Sequence, residues 1–393
     1  MKLKIKKNKI LIVCQKNSNR APRLYNTYLI LKEEYEVFLL GDKKPNYIDE
    51  ENFIQFSKNE IKKTNLILRL LIKAINLVRL YRLFPINKSD FKYLLKGDSV
   101  ELYRKIIKID FDILILHHID LLPLLCYYKK NKKFNLVINI HEYYPKEFDD
   151  QNNWGNMFEY WDELCRSFLN KVDLFLSVNE SISNEFIRNY KVRKEKFISF
   201  FNVKEFQNIS PNNTLLSEIK LIHHGAAIPS RQIHKMIEMV NFLPENYSLT
   251  LMLVPANKKY YKTLLSMQTN KIKIIDPVDF RNISKVINKY DIGLYLLTPS
   301  NFNEKHSLPN KFFEFIQARL CVVISPLIEM KKIVQENKIG VVCETFDPQD
   351  MAVEIQKLDI KNIHKCKINS DKCSLRYSTG YYENILLNVF GKL

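Results

Sequence analysis

Short runs of apolar, β-branched residues alternate with longer stretches of mixed polarity along most of the chain. In the first half the apolar runs fall at residues 10–14, 36–40, 113–117, 136–140 and 174–178. In the second half they fall at 220–224, 249–254, 272–275, 292–297, 321–325 and 340–343. Between them lie helix-like segments such as 23–33 and 119–130. Strands that alternate with helices predict parallel sheets with crossover helices, the α/β class. Near residue 200 the pattern breaks, and Ile209-Ser210-Pro211-Asn212-Asn213-Thr214 is polar and turn-prone, as expected of a linker. The pattern therefore predicts a first Rossmann-like domain over 1–200, a linker over 201–219, a second Rossmann-like domain over 220–375, and a C-terminal helix over 376–393 that packs back on the first domain. Ligands of open parallel sheets sit at the carboxyl ends of the strands. Both halves are thus expected to face a shared cleft.

One segment interrupts the first half. Residues 58–97 are basic and helical in pattern, with Arg69, Lys73 and Asn76 as a narrow polar stripe between broad apolar flanks. Such a helix either packs on its own domain or lies at an anionic membrane surface with its cations toward the headgroups. The length of 393 residues favours two cores over one. None of the apolar runs approaches the roughly 20 residues of a bilayer-spanning helix. The N-terminal lysines are followed by too brief an apolar run for a signal peptide, and residues 10–14 read better as a first strand.

Lysine and arginine total 61 against 43 acidic residues, a net charge of +18, which calls for an anionic partner or surface. Part of that excess reflects a Lys-, Asn- and Ile-rich composition. Only 8 residues are glycine, about 2% against a usual ~7%, and no glycine-rich phosphate loop is present. The seven cysteines are scattered without a CxxC pair, which argues against a disulfide framework or a zinc site and fits a reducing cytoplasm. Asp110-Phe111-Asp112 spells a DxD, but it opens an expected strand and reads as structural.

The densest chemistry lies at Ser307-Leu308-Pro309-Asn310-Lys311-Phe312-Phe313-Glu314, just before the apolar run at 321–325. Pro309 favours a helix start, whose unpaired N–H groups suit an anion. Lys311 adds positive charge, and Glu314 would accept from a ribose diol or simply complement the helix dipole. The second half opens with His224-Gly225-Ala226-Ala227-Ile228-Pro229-Ser230-Arg231. There Arg231 is either a solvated first-turn residue or a phosphate ligand. In the first half, His141 follows the run at 136–140, and His118-Ile119-Asp120 follows the run before it.

These stretches resemble the donor-site signature of GT-B glycosyltransferases, in particular glycosyltransferase family 4. In that family a Glu, seven intervening residues and a second Glu open the helix before such a strand. Glu314 matches the second Glu; the first position falls on His306, with Glu304 a less favoured substitute. Arg231 matches the family's diphosphate lysine, while the other basic position falls on Ala226, for which Lys311 or Lys235 would compensate. The resemblance implies two Rossmann-like domains of GT-B type and a donor site lined by Gly225, Arg231, His306, Leu308, Asn310, Lys311 and Glu314. It assigns catalytic roles to His141, which would orient the sugar, and Glu314, which would hold the ribose.

The activity so implied is transfer, with retention, of a sugar from a nucleoside diphosphate sugar to a hydroxyl of a saccharide or lipid-linked acceptor in bacterial glycan synthesis. No cofactor and no metal are expected. The expected location is cytoplasmic, peripheral on the inner face of the plasma membrane. Two alternatives remain: a basic nucleic-acid-binding protein, for which no recognised motif is present, and a sugar-nucleotide epimerase of the same fold.

Overall fold

A computed structural model describes residues 8–15, 18, 21–56, 99–147 and 157–393. The basic segment 58–97 lies outside the described residues. The chain divides into two units, Met1–Phe200 together with Asn384–Leu393, and Phe201–Glu383.

The first unit is built on seven strands: β1 (Lys9–Cys14), β2 (Glu36–Gly41), β3 (Phe53–Gln55), β4 (Ile113–Leu116), β5 (Asn135–Ile140), β6 (Leu174–Ser177) and β7 (Phe197–Ser199). Their order is β3-β2-β1-β4-β5-β6-β7, and every pairing is parallel. The central strands read as unbroken apolar runs because helices cover both faces of a parallel sheet. Ile10, Leu11, Ile12, Leu114, Ile115 and Val137 are accordingly sealed from solvent.

The second unit repeats the plan with β8 (Ile219–Ala226), β9 (Tyr247–Val254), β10 (Ile272–Ile275), β11 (Ile292–Tyr295), β12 (Cys321–Ile324) and β13 (Gly340–Val342). The order is β10-β9-β8-β11-β12-β13, again all parallel. In each sheet the order reverses beside the first strand, between β1 and β4 and between β8 and β11. A topological switch point of this kind opens a crevice at the carboxyl ends of the strands.

The structure adds two strands to those expected, β3 and β7. Each is three residues long and half-exposed at a sheet edge, too short to leave an apolar run. The expected helix over 119–130 is a 3-10 turn, Ile119–Leu121, followed by a helix Leu122–Tyr128 with Pro123 in its first turn.

The segment expected as a linker packs on the second unit from Phe201 onward. The Phe201 ring stacks 5.8 Å from Phe313 and 6.4 Å from Tyr377. Gln207 N–H donates to Gln317 Oε1 at 3.0 Å, Arg319 Nη2 donates to the Gln207 carbonyl at 2.6 Å, and Thr214 Oγ1 donates to Asp291 at 2.7 Å. At the other end, the helix Thr379–Phe390 runs into the residues grouped with the first unit. There Phe390 packs edge-on 6.4 Å from Tyr35, and the Leu393 carbonyl accepts from Asn135 Nδ2.

A buried polar seam fixes the helix Ile360–Ser374 to the second sheet. Fully buried Lys367 donates to Asp291 at 3.1 Å, Ser370 Oγ donates to the Leu320 carbonyl at 2.7 Å, and Gln317 Nε2 donates to the carbonyls of Ser374 and Tyr377 at 2.7 and 2.9 Å. Among the described residues no helix is long and apolar enough to cross a membrane. No disulfide links the seven cysteines, all of which are described.

Candidate active site

The second unit gathers its charged groups at the switch point beside β8. The helix Asn310–Gln317 lies against β11 because Gly293 has no Cβ, where one would come within 2.5 Å of the Phe315 ring. Pro309, extended at φ −74° and ψ 151°, serves as the helix N-cap rather than its first residue. The side chains of Phe312, Phe313, Phe315 and Ile316 are sealed in the core. Lys311 in the first turn is thereby aimed at the end of β8.

Its ammonium lies 3.2 Å from His223 Nε2 and 5.3 Å from the centre of the Tyr295 ring. His223 and Tyr295 are each 1% exposed. Gly225 makes this approach possible. Its φ of +132° suits glycine alone, and a Cβ there would stand 3.0 Å from Lys311 Nζ. Burial first, and the neighbouring Arg231 second, push the Lys311 ammonium down to about 7, against a smaller opposing pull from Glu314.

Arg231 closes the 3-10 turn Pro229–Arg231 that follows β8. It faces the Tyr295 hydroxyl, whose acidity burial weakens and Arg231 partly restores. The buried Tyr295 hydroxyl interacts with both Ser307 and the Arg231 guanidinium, which sets two hydroxyls beside a guanidinium and an ammonium, a combination of donors that suits an oxyanion. Neither Tyr295 nor Ser307 stood out in the sequence. A Tyr that ends an apolar strand next to the switch point is the signal that would have found the first.

Glu314 sits behind this cluster, 3% exposed, with Lys204 Nζ 3.1 Å from one carboxylate oxygen and His224 Nε2 3.3 Å from the other. Burial holds His224 down to about 4 despite the carboxylate, so it is neutral. Lys204 comes from coil that carries no motif. The structure thus brings Gly225, Arg231, Lys311 and Glu314 together.

The remaining sequence candidates occupy other settings. His306 caps the short helix Phe302–Lys305 at its C-terminal end, with its ring 4.3 Å from Phe302. Leu308 is buried apolar surface, and Asn310 is the first residue of its helix. Glu304 is spent locally, accepting from Ser300 N–H and Ser300 Oγ at 2.8 Å each. Lys235 donates to Thr298 Oγ1 at 2.9 Å.

In the first unit, His141 follows β5 and its Nε2 is 3.2 Å from His117 Nδ1. The polarity of the chain behind it can be read outward from buried Arg23. Arg23 Nε donates to Asn139 Oδ1, so the Asn139 amide faces the other way, toward His117 Nε2 at 3.4 Å and Thr27 Oγ1 at 3.4 Å. With its Nε2 accepting, His117 donates from Nδ1 to His141 Nε2. His141 is left with its proton on Nδ1. Burial, then His117 and Arg23, keep His141 well below the usual histidine range, and burial holds His117 down to about 3. His141 is therefore a neutral hydrogen-bond donor and not a base at neutral pH. Nearby, His118 Nδ1 is 3.0 Å from Asp120.

The Asp110-Phe111-Asp112 triplet is anchored to β1. Asp112 accepts from Lys9 N–H at 2.8 Å, Asp110 pairs with Lys9 Nζ at 3.2 Å, and Phe111 is core. Among the described residues no group of three or more His, Cys, Asp or Glu side chains could hold a metal.

The sequence model of the family described as Glycosyltransferase Family 4 matches residues 32–199. No curated protein matches the sequence. Among solved structures, Anabaena Alr3699/HepE, crystallised in complex with UDP-glucose, superposes at TM-score 0.69 with 13% identity, covering 98% of this chain and 100% of its own. A glycosyltransferase from Rickettsia africae ESF-5 gives TM-score 0.69 at 12% identity, covering 98% of both chains. The α,α-trehalose 6-phosphate synthase of Burkholderia multivorans gives 0.63 at 11%, covering 97% of this chain and 98% of its own. At such identities these likenesses speak for the fold, two Rossmann-like domains of GT-B type.

Proposed function

We propose that this chain is a glycosyltransferase of family 4 type, the family whose model matches residues 32–199 and whose GT-B fold it shares, and that it transfers a sugar from a nucleoside diphosphate sugar bound in its second unit. The observation that carries this reading is the meeting of Arg231, Lys311, the Tyr295 hydroxyl and Ser307 Oγ at the switch point beside the positive-φ Gly225. This is a cationic, partly desolvated cradle at a helix N-terminus, suited to a diphosphate. Glu314 would accept from the ribose, and in the first unit neutral His141 offers Nδ1–H to a sugar hydroxyl. Catalysis would rest on positioning and on neutralising the charge that develops on the leaving diphosphate.

Retention of configuration is part of the proposal, and it calls for no nucleophilic carboxylate if the leaving diphosphate helps deprotonate the incoming hydroxyl. So is independence from metal. The acceptor is proposed to be a saccharide or lipid-linked hydroxyl in bacterial glycan synthesis, reached by a protein resting on the inner face of the plasma membrane. The support for this is the basic, apolar-flanked sequence of residues 58–97.

The test is a panel of UDP-, GDP- and CMP-sugars incubated with the purified protein, followed by thermal shift and by release of nucleotide. One family of donors should raise the melting temperature and be hydrolysed slowly or transferred. A panel without any binding would overturn the reading. Conversion of the sugar without release of nucleotide would make the protein an epimerase of the same fold.

A further inference from the structure

The donor cradle contains a histidine that the proposed chemistry does not use. His223 lies in the buried part of β8, and its Nδ1 is 2.8 Å from the carbonyl oxygen of Leu294 on the neighbouring strand β11. A carbonyl only accepts, so Nδ1 carries the ring proton and Nε2 presents a lone pair. That lone pair faces Lys311 Nζ at 3.2 Å. Hydrogen-bond polarity thus runs one way, from Lys311 through His223 to the backbone of β11. Burial, then Lys311, hold His223 well below the usual histidine range, which keeps it in this neutral form.

We propose that His223 is a positioning residue which holds Lys311 at Gly225 as a donor to the diphosphate, and that this Lys–His pair takes up a proton from solvent when a nucleoside diphosphate binds. The inference rests on the donor site proposed above. The charged and titratable groups that face the pair come from every neighbouring element. They are His224 on β8, Arg231 on the turn after it, Tyr295 on β11 and Glu314 on the helix, with Lys204 reaching Glu314 from the preceding coil. Arg231, on the turn that follows β8, opposes a second positive charge at Lys311. Burial opposes it as well, and at pH 8 much of Lys311 is the neutral amine. A diphosphate brings two negative charges as the sugar ester, and three as the free nucleotide at pH 8, into this low-dielectric site and reverses that balance. The proton adds to the lone pair of the Lys311 nitrogen, and no other bond changes.

The experiment is titration calorimetry of the full chain with UDP and GDP at pH 8, in buffers of different ionisation enthalpy. At that pH the nucleotide's terminal phosphate is already ionised, so any uptake belongs to the protein. Wild type should take up close to one proton per nucleotide bound at pH 8, and show no net uptake at pH 6, where Lys311 is already charged and the half-ionised terminal phosphate can only release a proton. Lys311→Met should abolish the uptake. His223→Leu should weaken nucleotide binding about tenfold, and His223→Gln, whose amide oxygen can accept from Lys311, should restore most of the affinity. Binding without proton uptake, or His223→Leu binding like wild type, would overturn the inference while leaving the donor site standing. Absence of nucleotide binding by wild type would instead overturn the donor site itself. Should His223→Leu fail to fold, the wild-type proton count and its loss in Lys311→Met still decide the matter.

Discussion

Replacing Glu314 by Gln removes one charge from a carboxylate that is 3% exposed and contacted by Lys204 at 3.1 Å and His224 at 3.3 Å. Removing one partner of a buried ion pair costs about 3–5 kcal/mol. Two features lower that figure here. The Lys204 side chain keeps 14% of its exposure, and the glutamine oxygen can still accept from it, a bond worth about 1 kcal/mol. About 2–3 kcal/mol remains, which corresponds to a melting temperature lower by roughly 5–10 °C for a unit of this size. The same change should weaken nucleotide binding, since a hydrogen bond to a charged acceptor is worth about 1.5–3 kcal/mol. Thermal unfolding followed by circular dichroism gives the first quantity, and calorimetry well below the transition gives the second. A cycle with Lys204→Met isolates the pair, and the double variant should be less destabilised than the sum of the singles. Additivity within about 0.5 kcal/mol, or an unchanged melting temperature in Glu314→Gln, would refute the reasoning.

Arg231→Ala should lower turnover by about 10²–10³, the scale of one preorganised donor to developing charge; Arg231→Lys should recover part of it, and normal nucleotide affinity in the alanine variant would remove Arg231 from the site. Stability should fall as pH drops from about 6.5 toward 4. Burial lowers His117 to about 3 and His224 to about 4, so the unfolded chain binds protons that the folded chain refuses. Each such histidine contributes about 1.4 kcal/mol per pH unit across that window, and a urea midpoint that stays flat from pH 7 to 5 would contradict this. Transfer should survive EDTA; a loss restored specifically by Mn²⁺ or Mg²⁺ would draw Asp110 and Asp112 into the chemistry. Reversing Arg69, Lys73, Arg79 and Arg82 to Glu should abolish sedimentation with phosphatidylglycerol vesicles while sparing donor hydrolysis, and equal binding by wild type would show that this stretch does not hold the protein at membranes.

The central strands were legible because a strand buried on both faces leaves an unbroken apolar run, as Ile10–Cys14 and Cys321–Ile324 do. The edge strands β3 and β7 were not, since three half-exposed residues leave no pattern. The charged cluster proposed as the donor cradle was legible where it is local in sequence, at Lys311 and Glu314 on one helix and at Gly225 and Arg231 around one turn. What escaped depends on contacts between distant residues. Lys204 reaches Glu314 across 110 positions of chain, and the proton order that leaves His141 a donor begins at Arg23. Glu304 illustrates the opposite case, a carboxylate well placed in sequence that local geometry spends on Ser300.

The buried seam along the helix Ile360–Ser374 bears on where the second unit can be cut. Ending the chain before that helix would strip Asp291 of Lys367, the Leu320 carbonyl of Ser370, and Gln317 of two backbone acceptors, all inside the core. Gln317 closes the same helix that carries Lys311 and Glu314. A shortened protein meant to bind nucleotide must therefore run at least through Tyr377, and a protease that nicks the chain within 360–374 should abolish donor binding although it cuts far in sequence from the cradle.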